Sequence, residues 1–158
     1  MAMYLENSGL DIAAIYRPLN NIFLNGIMEK IRLNHICKKQ IKKGKSGTRE
    51  LLQLFKDGYS IALMIDQRVS EGVKSKLFNR SALTTTIPAQ LVKKYSVDVV
   101  PVYIERKNGI YFKMHINKPI FFDENKSLEE ITNKLNIILE EMILQNPDQW
   151  IWSHDRWK

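Results

Sequence analysis

The chain is poor in the features that would tie it to a bilayer, a disulfide framework or a metal. Among 158 residues no apolar run approaches the ~18 needed to span a membrane. The stretch Met1-Ala2-Met3-Tyr4-Leu5-Glu6 has neither the basic nor the apolar region of a secretory signal, so nothing in these residues is expected to cross a membrane. A single cysteine, Cys37, excludes an internal disulfide and any cysteine-rich metal site, which fits a reducing cytosol and an ordinary buried thiol. No metal and no cofactor is expected. Internal repeats and low-complexity linkers are also absent, so a single domain over residues 1–158 is expected. A chain of that length can bury roughly 70% of its unfolded surface. Its 44% hydrophobic and 26% charged residues place it with globular chains, not disordered ones.

Positive charge is what the chain has in excess. Lys and Arg number 24 against 17 Asp and Glu, a net charge of +7. Such a surface favours anionic partners: phospholipid headgroups, nucleic acid or an acidic carrier protein. Nucleic acid ranks last, because no helix-turn-helix, zinc or RNA-recognition pattern accompanies the charge.

Periodicity predicts alternating strands and helices. Asp11 to Tyr16 is a short apolar strand stopped by Pro18, which also biases Arg17 to an extended backbone at the strand end. Ile22, Phe23, Ile27 and Ile31 then recur at helical spacing, predicting a helix from Leu19 to about Leu33 with one buried stripe. Lys38 to Gly47 reads as an exposed basic loop. Ser46 or Thr48 is placed to cap a helix from Arg49 to Asp57 that Gly58 ends. Gly44-Lys45-Ser46 matches the end of a phosphate-binding loop, but the glycine required five residues earlier is Lys39, so a nucleotide site is rejected. Tyr59 to Ile65 is a nearly continuous apolar strand of the kind buried on both faces, with Asp66 at its C-terminal end and a loop to Val73.

Further on, Thr84 to Tyr95 is predicted to be a helix capped by Thr84, Thr85 or Thr86, with Pro88 in its first turn and amides free to bind an anion. Asp98 to Glu105 and Ile110 to Ile116 form a hairpin around Asn108-Gly109. Ser127-Leu128-Glu129-Glu130 is a capping box opening a long helix whose Leu128, Ile131, Leu135, Ile138, Leu139 and Met142 face inward. The sum is an α/β fold, a layered mixed β-sheet flanked by helices.

The C-terminus concentrates the rarest residues. Trp150, Trp152 and Trp157, all the tryptophans of the chain, lie within its last nine residues beside His154, Asp155 and Arg156. Rings of that size must dock on something apolar, so a tied-down tail that closes the core is expected, with Arg156 as an anchor and His154 hydrogen-bonded within it.

Four segments in order, Tyr16-Arg17-Pro18, Met64-Ile65-Asp66-Gln67, Phe78-Asn79-Arg80 running to Thr84-Thr85-Thr86, and the closing Pro147-x-Gln-Trp-x-Trp-x-His-x-Arg-Trp-Lys, together resemble the bacterial lipid A biosynthesis acyltransferases over essentially the whole chain. The resemblance implies a glycerophosphate-acyltransferase type of fold with its N-terminal elements missing. It also implies transfer of a fatty acyl group from acyl carrier protein to a hydroxyacyl group of a lipid A precursor. The implied partners are acyl-acyl carrier protein, the precursor and an anionic membrane surface, with no nucleic acid. The implied location is the cytoplasmic side of the inner membrane, peripheral for this form.

That family carries a catalytic His-x-x-x-x-Glu or Asp motif upstream of its YRP segment. Five residues beyond His35 and His115 stand Gln40 and Ile120, and the chain ends four beyond His154. The catalytic pair is thus expected to be absent, and the chain to be a truncated, catalytically incomplete acyltransferase with unpaired strand edges and an exposed apolar patch. Arg17 corresponds to the family's YRP arginine, suited to a forked grip on phosphate or carboxylate, or to holding the catalytic acid, against the alternative of a surface salt bridge. Asp66 corresponds to the family's strand-end acid and is a candidate partner for Arg17, or a turn cap. Arg80, Thr84 and Thr85 are candidates for the acceptor's phosphate site. Phe78-Asn79-Arg80 departs from the Phe-Phe-Gly more usual there, and Asp155 replaces a second basic residue. The competing function is a non-catalytic basic module that binds acyl carrier protein or anionic membrane.

Overall fold

The computed structural model describes the backbone of residues 1–158 and every side chain except those of Lys45 and Ser46. It has the α/β composition expected, with helices between strands and both parallel and antiparallel pairing, distributed over three small sheets. The chain divides into two compact units, Met1–Met64 and Ile65–Lys158.

The first unit begins with a short helix α1 (Ala2–Asn7), followed by β1 (Ile12–Tyr16), α2 (Ile22–His35), β2 (Lys39–Lys42), α3 (Lys45–Lys56) and β3 (Ser60–Ala62). Its three strands are all parallel, in the order β2-β1-β3, so that β1 is central. Small residues suit the central strand: Ala13 is fully buried and Ile12 nearly so, packed with Ala2 and Cys37. Cys37 donates its thiol hydrogen to carbonyls of Ile12 and Lys39, 3.1 and 3.2 Å away, and burial pushes its pKa up.

Four expectations change in this unit. The basic stretch after Cys37 is not simply a loop: four of its residues form β2, whose Ile41 is buried while Lys39 and Lys42 point to solvent. Alternation of lysine with one isoleucine concealed the strand. Helix α3 starts four residues earlier than Arg49, at Lys45 after Gly44, with no side-chain cap; Thr48 Oγ1 instead donates to the Gly44 carbonyl at 3.3 Å, and a cap by the Ser46 side chain lies outside the described residues. Gly47 permits this start, since a Cβ there would stand 1.7 Å from the Lys42 carbonyl oxygen. The strand expected from Tyr59 to Ile65 keeps three residues, none of them buried, because β3 is paired on one side only.

The apolar stripe of α2 provides the fourth difference. Ile22, Phe23, Ile27 and Ile31 are 78, 84, 57 and 41% exposed, and no residue of the helix is buried. Its opposite, polar face is the one held inward. Tyr16 Oη donates to Glu29 Oε1 at 2.8 Å, Asn25 Nδ2 donates to the same oxygen at 2.8 Å, and the Arg32 guanidinium lies 4.8 Å over the Tyr16 ring. Helical periodicity located the helix correctly, but a polar network, not hydrophobicity, sets which side faces the sheet.

The second unit is built on α5 (Leu128–Gln145). A hairpin of β4 (Val73–Leu77) and β5 (Arg80–Thr84) packs on it, as does α4 (Ile87–Tyr95); a second antiparallel hairpin joins β6 (Val102–Asn108) to β7 (Tyr111–Ile116). Ile131, Leu135, Ile138 and Leu139 of α5 are buried as their spacing predicts, with Leu128 and Met142 partly buried beside them. The β4–β5 hairpin had no turn signal in the sequence: its two turn residues, Phe78 and Asn79, hold φ of +50° and +58°, the geometry that normally calls for Asn-Gly. The β6–β7 turn is Gly109-Ile110, one residue later than expected, with Gly109 at φ +55°.

The capping box is formed in full. The Glu130 amide donates to Ser127 Oγ at 3.1 Å, and the Ser127 amide returns a bond to Glu130 Oε2 at 2.8 Å. That backbone bond, then the Lys126 ammonium, push the Glu130 pKa down to about 2. A depressed carboxylate stabilises the fold fully above its unfolded value of ~4.3 and loses that contribution as pH falls toward the folded value. Ser127→Ala is expected to cost about 1 kcal/mol of stability in denaturant titrations at neutral pH. Glu130→Gln should flatten the loss of thermal stability on acidification below about pH 4; a variant as acid-sensitive as the parent would refute this account of the cap.

Candidate substrate site

Arg17 follows directly on β1, the middle strand of the parallel sheet, and is exposed. The chain leaves β1 through α2 to reach β2 on one side, then returns through α3 to β3 on the other, which makes the carboxyl end of β1 a point where the connection direction reverses. Such points are where open parallel sheets hold ligands. Lys42 and Lys43, both exposed, end the neighbouring strand, and the Lys43 amide donates to the Tyr16 carbonyl at 2.9 Å. Three cations therefore gather at the carboxyl edge of β1 and β2. Among the described residues the Arg17 side chain has no hydrogen bond or ion pair, so its forked donors are available.

Behind Arg17 the Tyr16–Glu29–Arg32 network lines a cleft of about 110 Å³ with Leu33 and Gln40. Burial and then the bond to Glu29 raise the Tyr16 pKa, while the same bond, seconded by Asn25, lowers that of Glu29. The network fixes the ring immediately before Arg17 and so the exit direction of the strand. Nothing in the spacing of Tyr16, Glu29 and Arg32 announced it, because the residues that make it lie on two elements.

The second unit places the remaining candidates. Asp66 is half-buried, four residues beyond the end of β3, and its charge favours the protonated state of Arg156. Arg80 is exposed at the start of β5, with its guanidinium 4.9 Å over the Trp157 ring. Thr84 is buried; its hydroxyl donates to the Ala82 carbonyl at 3.2 Å and accepts from Asn136 Nδ2 and Arg156 Nη2, each at 3.1 Å. Thr85 is half-buried and its Oγ1 receives only a long 3.4 Å bond from the Ile87 amide. Thr86 is the residue before α4 and makes no side-chain cap, and Pro88 in the first turn brings no amide.

The tail is tied down as expected. Trp157 Nε1 donates to the Leu77 carbonyl at 2.8 Å, and Arg156 Nη1 donates to the Leu83 carbonyl at 2.6 Å. Phe78 stands among all three indoles, with centroids 5.7 to 6.5 Å away. His154 Nε2 accepts from the Arg68 amide at 3.1 Å, a structural bond. Gln149, which sequence reading passed over, pairs with the backbone of Arg106 through both ends of its amide, at 2.8 and 3.0 Å, where β6 bulges. Its position one residue before Trp150 in the closing motif was the available signal.

One histidine meets an acid: His115 Nε2 lies 3.1 Å from Glu105 Oε2 on the β6–β7 hairpin. Glu105 is held below its usual carboxylate range first by Lys107, 2.7 Å away, and then by His115. The pair joins the two strands of the hairpin, with the Tyr103 ring 5.8 Å from the imidazole, and reads as a cross-strand ion pair. Among the described residues no group of three or more His, Cys, Asp or Glu is arranged to hold a metal, and no helix is long and apolar enough to cross a membrane.

No curated protein matches the chain. The family model for bacterial lipid A biosynthesis acyltransferases matches residues 1–158, the whole of it. With that match over its full length, the chain belongs to the bacterial lipid A biosynthesis acyltransferase family.

Proposed function

We propose that these residues form the acceptor-holding part of an enzyme that moves a fatty acyl group from acyl carrier protein to a hydroxyacyl group of a lipid A precursor. The observation that carries this is Arg17, exposed and unengaged at the carboxyl end of the central parallel strand beside Lys42 and Lys43. A phosphorylated glycolipid is the acceptor such an edge suits, because a guanidinium and two ammonium groups match phosphate oxygens in charge and a forked donor fixes their orientation. Within the second unit Asp66, Arg80 and Thr85 are assigned to substrate on their own account, and Thr84 is tied to α5 and the tail through its bonds to Asn136 and Arg156.

Ester formation requires a base to take the acceptor hydroxyl proton and a carboxylate to orient that base. The family's motif histidine and acid play those parts, and these 158 residues hold no His-x-x-x-x-Asp or Glu. On this reading the chain is catalytically incomplete by itself. It works at the bacterial inner membrane, on the cytoplasmic side, where acyl carrier protein is available.

The test is twofold. Purified chain is expected to show no acyl transfer, and measurable turnover would overturn the missing base. Binding of a phosphorylated lipid A precursor in detergent should weaken about tenfold in Arg17→Ala, about 1.4 kcal/mol, while His115→Ala should leave it unchanged. Equal affinity of the Arg17 variant and parent would remove Arg17 from the site. A non-catalytic module that holds acyl carrier protein or anionic membrane is the second proposal, favoured by the charge of the first unit; precursor binding unaffected by Arg17 together with tight carrier binding would establish it instead.

A further inference from the structure

Helix α2 presents its apolar face outward, and its own hydrogen bonds prevent it from turning over. Asn25, Glu29 and Arg32 hold the inward face at spacings of four and three, anchored on Tyr16. Phe23, Leu24, Ile27 and Ile31, between 41 and 84% exposed, are left on the other side. Rotation that buried them would break the Tyr16–Glu29 bond and carry the Arg32 guanidinium away from the Tyr16 ring. The face is a fixed feature of the unit.

Charge identifies what covers it. Residues 1–64 hold ten of the 24 basic residues but five of the 17 acidic ones, so most of the net positive charge belongs to this unit. Lys30 borders the apolar stripe, three residues after Ile27 and seven after Phe23, and Lys38, Lys39, Lys42 and Lys43 follow the helix, all exposed. A second copy of the chain, equally basic, would be repelled. A helix of 14 residues is about 21 Å long and offers a few hundred Å² of apolar surface, short of the ~800 Å² per partner of a stable protein interface. An anionic bilayer needs no such minimum: an amphipathic helix lies in the interface plane with its apolar side about 5–10 Å deep and its cations among the headgroups.

We propose that α2 is an in-plane membrane helix, with Phe23, Leu24, Ile27 and Ile31 inserted among acyl chains and Lys30 at the phosphates. This deepens the membrane partner named above by assigning its surface, and it rests on that partner, not on the acceptor site. Vesicles of phosphatidylglycerol and phosphatidylcholine, mixed with the full chain and sedimented, provide the test. The parent should bind, less so at high ionic strength, and Phe23→Asn/Ile27→Asn should partition at least tenfold less. Because both positions face solvent, the double variant should keep the parent's circular dichroism and its affinity for detergent-solubilised precursor, so failure here and failure of the acceptor site remain distinct. Equal vesicle binding by variant and parent would overturn the proposal, as would a parent that ignores vesicles, or one that is dimeric in solution and made monomeric by the two substitutions.

Discussion

Arg156→Ala is expected to lower the stability of the second unit by about 3 kcal/mol, through the loss of a buried side chain and of two charge-assisted hydrogen bonds. The side chain is 1% exposed and joins the tail to β5 through the Leu83 carbonyl and the Thr84 hydroxyl. Burial pulls the guanidinium pKa down, and Asp66 opposes that shift. Truncation would leave the Leu83 carbonyl and the Thr84 hydroxyl without their charged donor, and a cavity between tail and strand. Urea unfolding followed by tryptophan fluorescence is the appropriate measurement, since all three indoles lie in this unit and the signal is blind to the first. Arg156→Lys should recover about half of the loss, as one donor replaces two. A midpoint for the alanine variant within error of the parent would mean that the tail is held by its rings alone.

Trp157→Ala is the second large effect, about 3–4 kcal/mol. The indole contributes ring contacts to Phe78, Trp150 and Trp152, a hydrogen bond to the Leu77 carbonyl and a surface for Arg80. Its loss also removes a neighbour that steadies Phe78, a bulky residue held at positive φ, where a large side chain is strained. Trp157→Phe keeps most ring contacts and gives up the Leu77 bond, so about 1 kcal/mol is expected. The two alanine substitutions share Phe78, the hairpin and the tail, and the double variant should lose less than the two single losses added together. Full additivity would show that arginine and indole anchor the tail independently.

How far the sequence revealed this molecule depended on whether a structure was set by nearest neighbours. The capping box at Ser127, the inward face of α5 and the first strand before Pro18 are local, and each is found where spacing placed it. The β4–β5 hairpin was hidden because Phe78-Asn79 adopts a glycine-like turn under constraint from distant tryptophans. The orientation of α2 was hidden for a related reason: periodicity finds an apolar stripe but not which side a Tyr16–Glu29 bond turns inward. At the candidate site, Arg17 was legible from its strand-end position and its motif. The bonds that occupy Thr84 were not, since Asn136 and Arg156 are 52 and 72 residues away in sequence.

Cys37, buried beside Ala2 and Ile12 and hydrogen-bonded to the Ile12 carbonyl, gives the first unit a clock of its own. A buried thiol of raised pKa reacts with an alkylating reagent only when its surroundings open. Its modification rate therefore follows the breathing of the sheet that carries Arg17, while the indoles follow the tail. Two silent, native probes divide the chain along the same line as its contacts, and air oxidation should not link folded molecules to one another.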